Sequence, residues 1–340
     1  MADRSEYDAF VEASWHRLLR TAYLLARDWG AAEDLVQTAL LKAWQAWPRL
    51  GAEREAYVRK IIVNLHVSWW RRRWSSPLES DSVSAFFTQK QGELVPAPHA
   101  RGPWSPDMLH GRLLGGLAAR AIERRYAQPG LHLARLTVDL FRSSPMVPVT
   151  VETSLIRSGR RILVADAIIS TDQGPIGRAG AVLLRQGEQP DGEQTFVTPV
   201  WDSPPPDGPP PVDGPTTWTP PFDLWRVTEW GKPGPGRVWL RESYPLVDDE
   251  PLTPLVRAAL AADFASPLSN VSTGGRLGFI NADYTLTLAR LPAGDLIGVE
   301  STGHLSADGV ATGQVTMHDT AGPFGFCVVT AVANTLGGGR

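Results

Sequence analysis

Two stretches of this 340-residue chain combine residue types capable of chemistry. Between Asn64 and Trp74 the run "NLHVSWWRRRW" interleaves tryptophans with arginines. That composition suits a surface that stacks on unpaired bases and neutralises phosphates. Far downstream, Asp263 closes an alanine-rich helical stretch, "PLVRAALAADFAS", and Asn281 and Asp283 follow in "FINADY". Two residues apart on an alternating strand, Asn281 and Asp283 are expected on one side, with Asp283 as a reserve carboxylate. A carboxylate with a polar partner can take a proton from water. The plainer reading of Asp263 is a solvated helix-end residue, and that of Trp44 and Trp47 is core.

Other chemistry is thinly represented. Cys327 is the one cysteine, so no internal disulfide forms, and it stands in an apolar run without a basic neighbour, as a buried inert thiol would. No Cys/His cluster has ligand spacing, so a structural zinc site is not expected; the expectation is of neither a metal nor a cofactor. The start is charged, and no run approaches eighteen apolar residues; the chain reads as cytoplasmic, without a membrane span.

These residues need elements to position them. From Glu6 to about Trp74 apolar residues recur three and four apart, predicting three helices punctuated at Gly30 and Pro48. Residues 75 to 106 show no sustained period and read as a linker (76–91) and an entry segment. "DMLHGRLLGGLAARAIERRYAQPG" then predicts a helix over about 108–125, with Leu113, Leu114, Leu117, Ala121 and Ile122 on one face. Alternation follows it to about residue 186. A proline-rich linker spans 187–221, after which a helix at about 252–265 and a second alternating region repeat the theme. The fold class is α+β, helix-then-sheet twice (92–186 and 222–336), behind an all-α unit (1–75).

Charge divides in the same place. Residues 1–75 carry a net +3 and seven of the thirteen tryptophans, and the remainder carries −6. Such asymmetry fits a nucleic-acid-facing N-terminal piece.

"AAEDLVQTALLKAWQAWPRL" and "AYVRKIIVNLHVSWWRRRW" resemble region 2 of the extracytoplasmic-function sigma factors of bacterial RNA polymerase. The resemblance implies polymerase docking through Glu33, Asp34 and Gln37. It also implies promoter binding through Asn64, Trp69, Trp70, Arg71, Arg72 and Arg73. Nothing after Trp74 resembles region 4, so such a unit would hold one of the two usual promoter anchors. It is then either a docking module or a fusion relic.

"GPWSPDMLHGRLLGGLAARAIE", "DFASPLS", "FINADYTLTLARLPAGDLIGVES" and "DTAGPFG" resemble, in order, the thioesterase-like double-hotdog proteins related to acyl-CoA thioesterase II. The resemblance implies two antiparallel sheets, each wrapping a long helix, and hydrolysis of acyl-CoA by an activated water. Carried over, Asp263 and Asn281 hold the water and Gly111 donates its N–H to the carbonyl oxygen. His110, Arg112 and Thr330 stand at the substrate. Arg112 departs from the family's usual glycine and is expected at the surface, either narrowing the entrance or meeting a CoA phosphate. Where relatives carry a Gln on the last strand this chain has Val329, which leaves two readings: a slowed hydrolase, or a binder of acyl ligands that does not hydrolyse them. Relatives also imply further association into a homo-oligomer.

Overall fold

The computed structural model describes residues 4–26, 29–47, 50, 54–63, 85–105, 107–211 and 220–334. The described residues fall into two compact units, the N-terminal helices and the chain from residue 85 onward. Asn64, Trp69, Trp70 and Arg71 to Arg73 lie outside the described residues.

The first unit is helical, as the 3.6-residue period predicts. Helices α1 (Arg4–Ala26), α2 (Trp29–Ala46) and α3 (54–63) share a core of Leu18, Val36, Ala39, Leu40, Val58 and Ile62. Trp47 is buried and Trp44 half-buried, and both meet Tyr7 edge-on at 4.8 Å. Arg54 covers the Trp47 ring at 4.4 Å, so this ring is packing, as its spacing suggested. Gln37 is exposed on α2, the helix that also carries Glu33 and Asp34.

The second unit repeats one element order. A hairpin, β1 (Phe87–Lys90) and β2 (Glu93–Pro96), precedes helix α4 (Arg112–Tyr126) and strands β3 (Leu131–Leu140), β4 (Thr150–Ser158), β5 (Ile162–Thr171) and β6 (Gly174–Arg185). A second hairpin, β7 (Phe222–Arg226) and β8 (Arg237–Glu242), precedes α5 (Pro254–Ala262) and α6 (Ala265–Ser269). Strands β9 (Phe279–Leu288), β10 (Leu296–Ala307), β11 (Val310–Asp319) and β12 (Gly322–Ala333) complete it. The sheet order is β4-β5-β6-β3-β9-β12-β11-β10-β8-β7, and every neighbouring pair is antiparallel. The first repeat's order, 4-5-6-3, is mirrored by 10-11-12-9, and β3 meets β9 at the junction. The two expected sheets are therefore one continuous ten-stranded sheet.

Both hairpins escaped sequence periodicity. Residues 87–96, read as linker and entry segment, form β1 and β2, whose strands are too short to establish a two-residue period.

The helices lie on one face of the sheet and against each other. Thr253 starts α5 by accepting the Val256 N–H at 3.2 Å with Pro254 at the first helical position, a cap contributing about 1 kcal/mol. Where α4 crosses the second repeat, Gly115 and Gly116 permit the approach. A Cβ on Gly115 would collide with the Tyr284 hydroxyl, and one on Gly116 would press on Leu260. Outside the sheet, Trp201 of the proline-rich segment stacks on His318 (4.7 Å) and occupies space left by Gly298. Among the described residues no helix is long and apolar enough to cross a membrane.

Candidate active site

The α5 helix ends at Asp263, in a short break before α6, and this break turns the carboxylate inward. Asp263 is 8% exposed, so the plainer reading of a solvated helix end is excluded. Its Oδ1 accepts the Asn281 side-chain N–H at 2.8 Å, and its Oδ2 lies 3.8 Å from His110 Nδ1. The first repeat contributes His110 through the turn that leads into α4, and the second contributes both Asp263 and Asn281.

A β-bulge sets the position of Asn281. Thr330 pairs with Asp283 but the next residue, Ala331, pairs with Asn281, so Ala282 is an extra residue on β9. The extra residue reverses the alternation. Asn281 and Tyr284 thus both face the helices, Tyr284 donating to the Ala259 carbonyl at 3.0 Å. Asp283 faces the other way and accepts the Thr330 N–H at 2.8 Å. The expected pairing of Asn281 with Asp283 on one side is therefore corrected, and Asp283 is no reserve carboxylate for Asp263. Thr330 pairs directly with Asp283, is exposed on that outer face, and is turned away from Asp263. Val329 is fully buried on the inner face opposite Tyr284.

Gly111 caps α4 in helical conformation. In this first turn the Arg112 N–H points at His110 Nδ1 (3.4 Å), and the N–H groups of Leu113 and Leu114 bond to the carbonyls of His110 and Gly111. Among the described residues the Gly111 N–H, at the positive end of the helix dipole, is the remaining donor of the turn.

Arg112 contradicts its expected place at the surface. It is 4% exposed, and its Nη1 and Nη2 donate to Glu242 at 2.7 and 2.5 Å, a partner on β8 of the second repeat. The rings of Phe222 and Phe86 lie at 4.6 and 5.5 Å. A guanidinium held this way cannot also reach a phosphate at the protein surface. Glu242 was missed because its partner lies 130 residues away.

Burial dominates the electrostatics. It pushes the Asp263 carboxyl above the usual range, against the Asn281 hydrogen bond and the Arg112 charge. Burial also takes the His110 imidazole down to about 3, with Arg112 acting in the same direction. His110 is therefore neutral at physiological pH, and its contact with Asp263 is not an ion pair. Cys327 is buried with its Sγ 3.4 Å from the Ala262 carbonyl, and desolvation raises its thiol well above the ordinary range. Among the described residues no group of three His, Cys, Asp or Glu comes together to hold a metal. Cavities of about 290 Å³, beside residues 228–238 and 301–304, and about 380 Å³, under residues 200–205, lie elsewhere; neither is lined by Asp263.

Residues 100–184 match the acyl-CoA thioesterase N-terminal domain, residues 200–332 the acyl-CoA thioesterase C-terminal domain, and residues 10–76 sigma-70 region 2. The unit from residue 85 has the fold of the tesB protein of Mycobacterium avium subsp. paratuberculosis (16% identity, 72% of this chain and 94% of that one, TM-score 0.54). It also has that of a hot-dog-fold protein of unknown function from Alicyclobacillus acidocaldarius (14% identity, 75% and 97%, TM-score 0.56). The N-terminal segment is 36% identical over 70 residues to the RNA polymerase sigma-E factor of Streptomyces avermitilis, covering 20% of this chain and 39% of that protein. The corresponding factor of Streptomyces coelicolor is 35% identical over 75 residues, covering 22% and 42%. The chain thus spans about two fifths of the length of these sigma factors.

Proposed function

We propose that this chain, which carries the two acyl-CoA thioesterase domains in tandem behind a sigma-70 region 2 segment, hydrolyses acyl-CoA thioesters with a water activated at Asp263. The observation that carries the reading is the buried Asp263 carboxylate, with one oxygen held by Asn281 and the other turned toward His110. Thioester hydrolysis requires a water aimed at the carbonyl carbon, a base for its proton, and a donor for the developing oxyanion. Asp263 Oδ2 is the base, since Oδ1 is already engaged. Desolvation raises its pKa toward the working pH, which strengthens it as a base while it remains ionised. Gly111 N–H at the start of α4 serves the oxyanion. The water oxygen bonds to the acyl carbon, the C–S bond breaks, and the proton taken by Asp263 passes to the CoA sulfur.

The test is release of CoA thiol from medium- and long-chain acyl-CoAs, compared with equilibrium binding of the same compounds. Release that follows binding supports hydrolysis. Saturable binding without release would instead select the non-hydrolytic binder, the reading that the apolar Val329 favours. In a slow hydrolase, Val329→Gln, on the same inner face as Asn281, raises turnover.

A second reading concerns the N-terminal unit, and the sigma-70 region 2 match favours it. It binds bacterial RNA polymerase through Glu33, Asp34 and Gln37, and single-stranded promoter DNA through Trp69, Trp70 and Arg71 to Arg73, in the cytoplasm. Binding of a fluorescent single-stranded promoter oligonucleotide that weakens with salt and with replacement of the three arginines supports it. No binding at low salt would retire it.

A further inference from the structure

We infer that Arg112 and Glu242 form a positioning pair for the site, fixing the start of α4 to β8 and holding a partly neutralised positive charge beside Asp263 and His110. The inference deepens the proposed role of Asp263 and rests on it. Arg112 immediately follows Gly111 and His110, so whatever holds its guanidinium also sets the turn that carries the proposed oxyanion donor. That guanidinium is held bidentately by Glu242 and flanked by the rings of Phe222 and Phe86. Among the described residues, further polar links join α4 to the chain leading into α5. Arg120 and Arg124 bind Glu250, and Glu123 accepts from the Thr253 hydroxyl.

Stability alone does not account for the pair. A buried ion pair gives back in Coulomb energy about what desolvation costs, and apolar side chains of similar volume would stabilise this spot at least as well. Among the described residues Arg112 Nε also has no hydrogen-bond partner, a further cost in a buried site. The benefit lies in the field at the neighbouring groups. Among the described residues, the charged and titratable side chains around Asp263 are His110 ahead of α4, Tyr284 on β9, Cys327 on β12, and the Arg112–Glu242 pair. Arg112 is the cation among them. It lowers the pKa values of Asp263, His110 and Tyr284, favouring an ionised carboxylate next to a neutral imidazole. Glu242 moderates that charge, so its removal strengthens the field while removal of Arg112 abolishes it.

The opposite signs supply the test. In the full chain labelled with ¹³C-aspartate, the Asp263 carboxyl resonance, assigned through Asp263→Asn, is titrated in four proteins. Arg112→Gln raises the Asp263 titration midpoint above wild type, Glu242→Gln lowers it, and Arg112→Lys, which keeps the charge but not the bidentate geometry, leaves it near wild type. The acid limb of the kcat profile moves in the same directions. A purely structural pair would perturb Asp263 in one direction in all three variants, or not at all, and either result overturns the inference. Should Arg112→Gln not fold, the contrast between Glu242→Gln and Arg112→Lys decides the same point. The titration needs no turnover, so a wild-type chain that does not hydrolyse thioesters overturns the proposed function and leaves this inference to be judged by the midpoints.

Discussion

Asn281 and Tyr284 are three residues apart on β9 yet both reach the helical layer, Asn281 to the Asp263 carboxylate and Tyr284 to the Ala259 carbonyl. In a regular strand, residues three apart point to opposite faces. The extra residue Ala282 reconciles them and gives the second repeat a polar partner for Asp263 at the end of an otherwise apolar inner face.

Asn281→Ala removes the hydrogen bond that stabilises the Asp263 anion, and the Asp263 pKa rises further. The expected cost is about tenfold to a hundredfold in kcat at neutral pH, the kinetic equivalent of roughly 1–3 kcal/mol for an unsatisfied buried group. Thiol release with saturating acyl-CoA measures it; an unchanged kcat would remove Asn281 from the site.

His110 and Asp263 give stability opposite pH dependences. The folded-state pKa of His110 lies near 3, well below an unfolded value of about 6.5. Only the unfolded chain takes the proton in between, so this group costs stability progressively as pH falls from about 6.5 toward 3. The Asp263 pKa is raised, so the folded chain holds its proton longer, and stability falls as pH rises from the ordinary aspartate value through the raised one. Melting temperatures across pH 4 to 8 are expected to fall less toward acid in His110→Asn than in wild type. Asp263→Asn should melt above wild type at pH 7 while losing activity.

Gly115 is predicted to tolerate no larger side chain while Tyr284 keeps its hydroxyl. Gly115→Ala drives a methyl into the Tyr284 Oη and costs about 1–3 kcal/mol by overpacking. Tyr284→Phe removes the atom in closest conflict, leaving only the ring carbon 2.8 Å from the added methyl to shift, and gives up the hydrogen bond to the Ala259 carbonyl. In a double-mutant cycle by urea unfolding, the pair should be more stable than the sum of the single losses implies.

Trp201 ties the proline-rich segment to the outer face of the sheet, stacked on His318 and packed on Trp239 at 5.1 Å. Trp201→Ala is expected to cost about 3 kcal/mol and to open residues 186–211 to limited proteolysis, with the hotdog helices still protected. Equal protection in the two proteins would contradict that anchoring.

Much of this architecture was legible beforehand for a physical reason. Helical periods in the N-terminal segment and strand alternation downstream are one-dimensional records of which side each residue buries. Leu113, Leu114, Leu117 and Ile122 are all buried as their spacing required. The hairpins were missed because four to six residues are too few to establish a period. The bulge at Ala282 was missed because alternation alone assigns Asn281 and Asp283 to one face, and only the register with Thr330 and Ala331 reveals the insertion. Arg112 was misread because composition places arginine at the surface. Its partner Glu242 and the rings of Phe86 and Phe222 come from other segments that pattern along the chain does not connect. Gly115 and Gly116 carried a signal that could have been used, since adjacent glycines inside a predicted helix mark a close approach.

The most direct measurement of the central claim compares wild type and Asp263→Asn for CoA thiol release from a long-chain acyl-CoA under saturating conditions. Replacement of a carboxylate by its near-isosteric amide keeps an acceptor for Asn281 and removes the base. Wild type is expected to turn over and the variant to lose about 10²- to 10⁴-fold in kcat with binding retained. Equal turnover in the two proteins would contradict the assignment of Asp263 as the group that activates water.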